Sequence, residues 1–150
     1  MKNKKIQKSY IDYGLGFPVQ ITNVHLLKVR GEWVLDLNFE KYEKAVLLAL
    51  SVKSTRLTGN EIKFVRNHFS MTLKEFGKRF GDVAHSAVIK WEKFGDNSTN
   101  MNWPTEKDIR LFIINELKPN ILVKVYEKLE KVHPPNESKI KIDNADLLVA

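Results

Sequence analysis

The sequence predicts a mainly α protein with a small N-terminal α+β unit. Apolar residues alternate with polar ones along much of residues 13–37, which is the period of a β-strand. After Asn38 they recur every three or four residues, as in a helix that buries one face. Thr58 and Thr72 are each followed three residues later by glutamate, a pattern typical of helix starts. These observations separate a strand-rich beginning from a helical remainder.

The first residues form a segment of their own. Residues 1–12 are rich in lysine, and no core-forming period is visible, so we expect a basic disordered arm. Its lysines either remain solvated, as at most chain ends, or add contacts to a polyanion.

Residues 13–52 are predicted to form a small antiparallel sheet and one helix. Arg30, Gly31 and Glu32 interrupt the strands where a hairpin turn would lie. The alternating residues are Phe17, Val19, Ile21, Val24, Leu26, Trp33, Leu35 and Leu37. Asn38 is the expected helix cap, followed by an apolar stripe of Phe39, Tyr42, Val46, Leu47 and Leu50. Residues 51–56 are short and polar, and we interpret them as a linker.

Residues 53–118 are predicted to form a helix-turn-helix domain, with three short amphipathic helices between Leu57 and Phe94 and a further helix from Pro104 to Leu117. The first is capped by Thr58 and Glu61, and the second by Thr72 and Glu75. Gly81 to Val83 form the tight turn that lets the third helix lie across the other two. The residues expected to face inward are Ile62, Val65 and Phe69, then Leu73 or Phe76 with Phe80, then Val88 and Trp91.

The segment TLKEFGKRFG followed by HSAVIKWEKF resembles the helix-turn-helix of XRE/Cro-type repressors. The matching positions are Gly77, Gly81, Ser86, Ala87, Val88, Trp91 and Glu92. Two departures stand out. Asp82 is one extra turn residue, and Gly77 replaces the usual alanine, which costs about 1 kcal/mol of helix propensity.

A longer frame, residues 13–117, resembles the two-part regulators of the MqsA antitoxin type. The resemblance is carried by Leu57, Thr58, Gly59, Glu61, Ile62, Phe64 and Arg66. Members of that family usually bind zinc through paired CxxC motifs, but this chain has no cysteine, so no metal is expected. The partner that the resemblance implies is a toxin protein.

Charge points to a polyanionic partner. The chain carries a net charge of +7 and has a pI near 9.5. Nine bases and four acids lie between Lys53 and Lys93, so an excess of five falls on the helix-turn-helix. The chain has no phosphate-binding glycine loop and no metalloprotease motif, so we expect neither an enzyme nor a cofactor.

The DNA-binding residues follow from the expected docking of the third helix in the major groove. Lys90 is the candidate for guanine, Ile89 for a thymine methyl, and His85 and Ser86 for hydrogen bonds to base or phosphate. The phosphate candidates are Thr72, Lys74, Arg79 and Lys93. The alternative for each surface lysine is a solvated charge that keeps the protein soluble.

Residues 119–150 are predicted as a C-terminal helix and tail. The helix over residues 121–132 carries an apolar face of Ile121, Leu122, Val125, Leu129 and Val132. That face either completes its own domain or pairs with a second subunit. Residues 133–139 form a linker or tail, and the alternation over residues 140–143 predicts a short edge strand.

Together these features predict a sequence-specific transcriptional regulator, a dimeric repressor that binds an inverted repeat in double-stranded DNA. The alternative is the antitoxin of a type II toxin–antitoxin pair, which binds its toxin and autoregulates its operon. The longest apolar run, Ala45 to Leu50, is far too short to span a bilayer, and no signal peptide is visible. We therefore expect a cytoplasmic protein with no membrane partner.

Overall fold

A computed structural model of the chain describes residues 3–131 and 140–147. The chain divides into two compact units. Their described parts are residues 3–49 with 140–147 (unit one) and residues 50–131 (unit two). The predicted linker over residues 133–139 and Val132 of the predicted apolar face lie outside the described residues.

Unit one is built on a four-stranded sheet. Its strands are β1 (Lys4–Asp12), β2 (Val19–Val29), β3 (Glu32–Leu35) and β4 (Ile140–Asp143). β2 pairs with β1 along most of its length. On its other side β2 pairs with β3 through residues 26–29 and with β4 through residues 19–22. β1 and β3 are antiparallel to β2, whereas β4 is parallel to it.

The predicted mainly α fold class is therefore wrong, because the chain is a mixed α/β protein. Within the described residues, six helices accompany the four-stranded sheet. The predicted disordered arm over residues 1–12 is also wrong from Lys4 onward, because Lys4–Asp12 forms β1. The strand predicted at residues 140–143 is confirmed as β4, although it belongs to unit one rather than to a C-terminal segment of its own.

The local predictions for unit one hold at the turn and at the helix cap. Arg30 and Gly31 connect β2 to β3 with φ values of +51° and +83°, the paired left-handed conformation of a tight two-residue hairpin. Helix α1 (Phe39–Ser51) begins after Asn38, whose side chain accepts a hydrogen bond from the Lys41 N–H. Phe39 does not join the buried stripe, because it is 59% exposed.

The core of unit one lies between α1 and the sheet. Tyr42 of α1 is fully buried, and its hydroxyl donates to Asp12 of β1 over 2.7 Å. Burial, followed by the hydrogen bond to Asp12, raises the pKa of Tyr42 well above its ordinary value. The buried apolar residues include Phe17, Val19, Ile21, Val24, Leu26, Val46, Leu47, Ile140, Ile142 and Leu147.

Unit two is helical in its described part. Its helices are α2 (Gly59–His68), α3 (Leu73–Arg79), α4 (His85–Glu92), α5 (Trp103–Leu117) and α6 (Leu122–Lys131). A single turn of 3-10 helix, Pro119–Ile121, joins α5 to α6. The buried apolar residues include Leu57, Ile62, Val65, Phe76, Phe80, Val88, Ile109, Ile113, Ile114, Val125 and Leu129. Val125 and Leu129 show that α6 uses one face to complete the core of its own unit.

The segment over residues 51–56, interpreted from the sequence as a linker, is packed. Ser51, Lys53 and Thr55 are buried. The guanidinium of Arg110, which is fully buried in α5, donates to the carbonyl oxygens of Lys53 and Thr55 over 2.6 Å each. The segment is thus held inside unit two by hydrogen bonds from a charged donor.

Candidate nucleic-acid interface

The second and third helices of the predicted motif correspond to α3 and α4, and α2 and α3 both begin with the predicted cap. The Thr58 hydroxyl accepts from the Glu61 N–H while the Glu61 carboxylate accepts from the Thr58 N–H. Thr72 and Glu75 repeat this reciprocal arrangement at α3. Both predicted capping boxes are confirmed, so four N–H groups at the two helix starts have partners.

Gly77 lets α4 approach α3 closely. A Cβ at this position would lie 2.6 Å from the carbonyl oxygen of Val83 and 3.1 Å from a methyl of Val88. The Gly77 carbonyl also accepts from the Val83 N–H over 2.9 Å. This close packing explains why the residue at position 77 has no side chain.

The turn between α3 and α4 depends on two left-handed residues. Gly81 has φ +85°, and the following Asp82 has φ +49°. Aspartate tolerates this region better than most residues because its short side chain bonds locally. Asp82 is therefore accommodated as a second left-handed position of the turn, and it is exposed to solvent.

The predicted base-reading residues share one side of α4. His85, Ser86 and Lys90 are exposed, and Ile89 is half-buried. Val88 faces the opposite way and is fully buried. Trp91, predicted to lie in the core, is half-buried and meets the Phe76 ring edge-on at 6.5 Å. Ala84 is the N-cap residue of α4. Its methyl side chain has no hydrogen-bond acceptor, so it caps none of the first N–H groups of the helix.

An ion pair fixes the other side of α4. Arg66 of α2 binds both carboxylate oxygens of Glu92, with N–O distances of 2.6 and 3.1 Å. The two side chains are only 14% and 12% exposed. Arg66 also donates to the Met71 carbonyl just before α3, so one guanidinium connects all three helices.

Sequence reasoning missed the role of Gly59. A Cβ there would lie 2.5 Å from the Trp91 carbonyl oxygen, 2.7 Å from that of Glu92 and 2.8 Å from the Gly95 nitrogen. The start of α2 therefore packs directly on the backbone at the end of α4. The sequence signal for this packing is that α2 begins with glycine, although alanine has the higher helix propensity.

The predicted phosphate residues have different surroundings. Lys74 and Lys93 are exposed, and the structure describes no ion pair for either. Thr72 is exposed, and its hydroxyl accepts from the Glu75 N–H in the capping box. Arg79 binds Asp108 over 2.9 Å and lies over the rings of Phe80 and Phe112. Arg79 therefore connects α3 to α5 through an ion pair whose two side chains are 46% and 47% exposed.

A buried network of charges supports this scaffold and was not predicted. Lys53 donates to both oxygens of Glu61, so the same carboxylate that caps α2 also neutralises a buried ammonium. Glu106 accepts from both Arg56 and Arg110. Burial lowers the pKa of Arg110, and the charge of Glu106 opposes that effect.

Other kinds of site find little support in the described residues. Residues 3–131 and 140–147 contain no cluster of three His, Asp or Glu side chains arranged to hold a metal ion. Over the same ranges, none of the helices combines the length and apolar content needed to cross a bilayer. Comparisons with protein-family models, with curated proteins and with solved structures found no match to this chain.

Proposed function

We propose that the chain is a sequence-specific transcriptional regulator that reads double-stranded DNA with α4. The observation that carries the proposal is the arrangement of His85, Ser86, Ile89 and Lys90 on the side of α4 that faces away from buried Val88. These four side chains supply hydrogen-bond donors and an apolar contact, the groups that distinguish base edges in the major groove. A helix that is held rigidly on its inner side can present them in fixed positions.

Each residue has a distinct role in this proposal. Lys90 donates to guanine O6 and N7, Ile89 contacts a thymine methyl, and His85 and Ser86 bond base or phosphate at the start of the helix. Lys74, Lys93 and the Thr72 hydroxyl contact phosphates on either side. Arg79 contributes mainly by positioning α3, since Asp108 already neutralises it.

The regulator acts as a homodimeric repressor on an inverted repeat. One eight-residue helix reads only a few base pairs, so two copies related by a two-fold axis supply the remaining specificity. The half-sites are then about 10 to 10.5 base pairs apart, or a multiple of that spacing, because both helices enter the same side of the duplex.

Selection from a randomised duplex pool tests the proposal. The full chain is expected to enrich an inverted repeat with that spacing. Lys90→Glu should abolish binding to the selected site, whereas Lys118→Glu, an equally exposed charge reversal at the end of α5, should leave base recognition unchanged. Lys74→Glu should weaken binding to all duplexes and lower the salt slope by about 1. A pool without an enriched motif, or equal effects of Lys90→Glu and Lys118→Glu, would contradict the proposal.

A further inference from the structure

Helix α6 presents a second apolar face that unit two does not bury. Val125 and Leu129 are directed into the core, but Val123 is 70% exposed and Tyr126 is 46% exposed. Residues three apart lie on the same side of a helix, so these two side chains form one exposed pair. Val123 and Tyr126 therefore form a small exposed apolar patch on a helix whose other face is buried in its own unit.

A shallow groove adjoins this pair. Its volume is about 320 Å³, and its wall is mostly apolar, formed by Leu111, Phe112, Leu122, Val123 and Tyr126, together with Asn115 and the Arg79–Asp108 ion pair. The same surface therefore combines projecting apolar side chains with a depression that can receive them. This is the shape relation that an interface between identical surfaces needs.

The charges beside the apolar pair also match a second copy. Lys124 and Glu127 are both exposed, and among the described residues neither takes part in an ion pair. Glu130 differs, because Lys107 of α5 already binds it. If two copies of α6 pair antiparallel about a two-fold axis near Val125 and Tyr126, Lys124 of each copy lies opposite Glu127 of the other. A parallel pairing would instead set lysine against lysine.

We propose that this α6 face, formed by Val123, Lys124, Tyr126 and Glu127, is the dimer surface, and that it pairs antiparallel with the same face of a second copy. This surface would form the dimer that the proposed regulator requires, so the proposal rests on the proposed function. Oligomeric state is measured without DNA, so the two proposals can fail separately. A monomer that still selects an inverted repeat would refute the dimer surface alone, whereas a dimer without duplex selectivity would refute only the DNA-reading function.

Sedimentation equilibrium of the full chain is the first test. The wild type should dimerise at concentrations that saturate DNA, and Val123→Asp should raise the dimer dissociation constant about tenfold or more. Phe39→Asp is the control, because it places the same charge at an apolar residue of unit one that is 59% exposed. It should leave the dimer dissociation constant unchanged. Thermal unfolding followed by circular dichroism verifies that each variant is folded. A monomeric wild type, or an undiminished dimer in Val123→Asp, would overturn the proposal.

A charge exchange tests the antiparallel pairing itself. Lys124→Glu alone and Glu127→Lys alone should each weaken the dimer, because each sets like charges against one another. The double variant should restore it, because the pair is exchanged in both copies at once. Failure of the double variant to recover over the single variants would overturn the antiparallel arrangement.

Discussion

Gly77→Ala separates what helix propensity predicts from what packing predicts. Propensity alone favours alanine by about 1 kcal/mol in a helix interior. In the structure the added methyl would lie 2.6 Å from the Val83 carbonyl oxygen, well inside ordinary contact distance, and 3.1 Å from Val88. Overpacking of this kind costs about 1–3 kcal/mol. Because the closest atom belongs to the backbone of the turn, we expect the cost to exceed the propensity gain and leave a net loss of about 1 kcal/mol.

Chemical unfolding followed by circular dichroism measures this loss. Lys78→Ala and Lys78→Gly, at the neighbouring exposed position of α3, give the alanine–glycine difference where no contact opposes the methyl. The Gly77→Ala variant should be less stable than the wild type and should bind DNA more weakly, since α4 must move away from α3. If Gly77→Ala instead gained as much stability as separates the two Lys78 variants, the close approach of the turn to α3 would be refuted.

Substitutions can test two ion-pair contacts in unit two and the cap of α3. Glu92→Gln removes the charge that binds Arg66, so the free energy of unfolding, measured by urea titration, should fall by about 1.5–3 kcal/mol. Glu116→Gln changes an exposed glutamate and should leave the free energy of unfolding unchanged. Arg110→Met leaves buried Glu106 paired with Arg56 and removes the hydrogen bonds from Arg110 to the Lys53 and Thr55 carbonyls. The free energy of unfolding should fall by about 3–5 kcal/mol in the same titration. An unchanged stability would show that this network is dispensable. Hydrogen bonds from the backbone N–H and from the hydroxyl of Thr72 lower the pKa of Glu75. The ionised Glu75 therefore contributes fully to stability above the ordinary glutamate pKa, and this contribution is lost as the pH falls through the lowered pKa. Glu75→Gln keeps an amide oxygen as the acceptor and should flatten this acid dependence below the ordinary glutamate pKa. An unchanged pH profile would contradict the assignment.

The features that the sequence predicted well are local ones. Both capping boxes involve residues three apart, and the Arg30–Gly31 turn joins adjacent strands, so short-range chemistry specifies them. The exposed side of α4 also follows from helical period alone, because Val88 fixes which side is buried. These elements needed no knowledge of the rest of the chain.

The features that the sequence did not predict depend on distant partners. The lysine-rich β1 has little apolar pattern, and it becomes a strand because β2 offers a free edge along residues 19–27. β4 joins the same sheet from 120 residues further along the chain, where no local signal reveals its partner. The segment over residues 51–56 looks polar, and only the buried Arg110 explains why its carbonyls are inside. Gly59 was likewise unrecognised, because the constraint comes from the backbone of α4.

Whether α4 reads DNA sequence can be measured by fluorescence anisotropy. The full chain is titrated onto its own promoter fragment and onto a scrambled duplex, at two salt concentrations. We predict tighter binding to the promoter, with an affinity that falls steeply with salt at a log–log slope of about −0.9 for each phosphate neutralised. Equal affinity for both duplexes, or an affinity that does not change with salt, would contradict the claim that α4 reads DNA sequence.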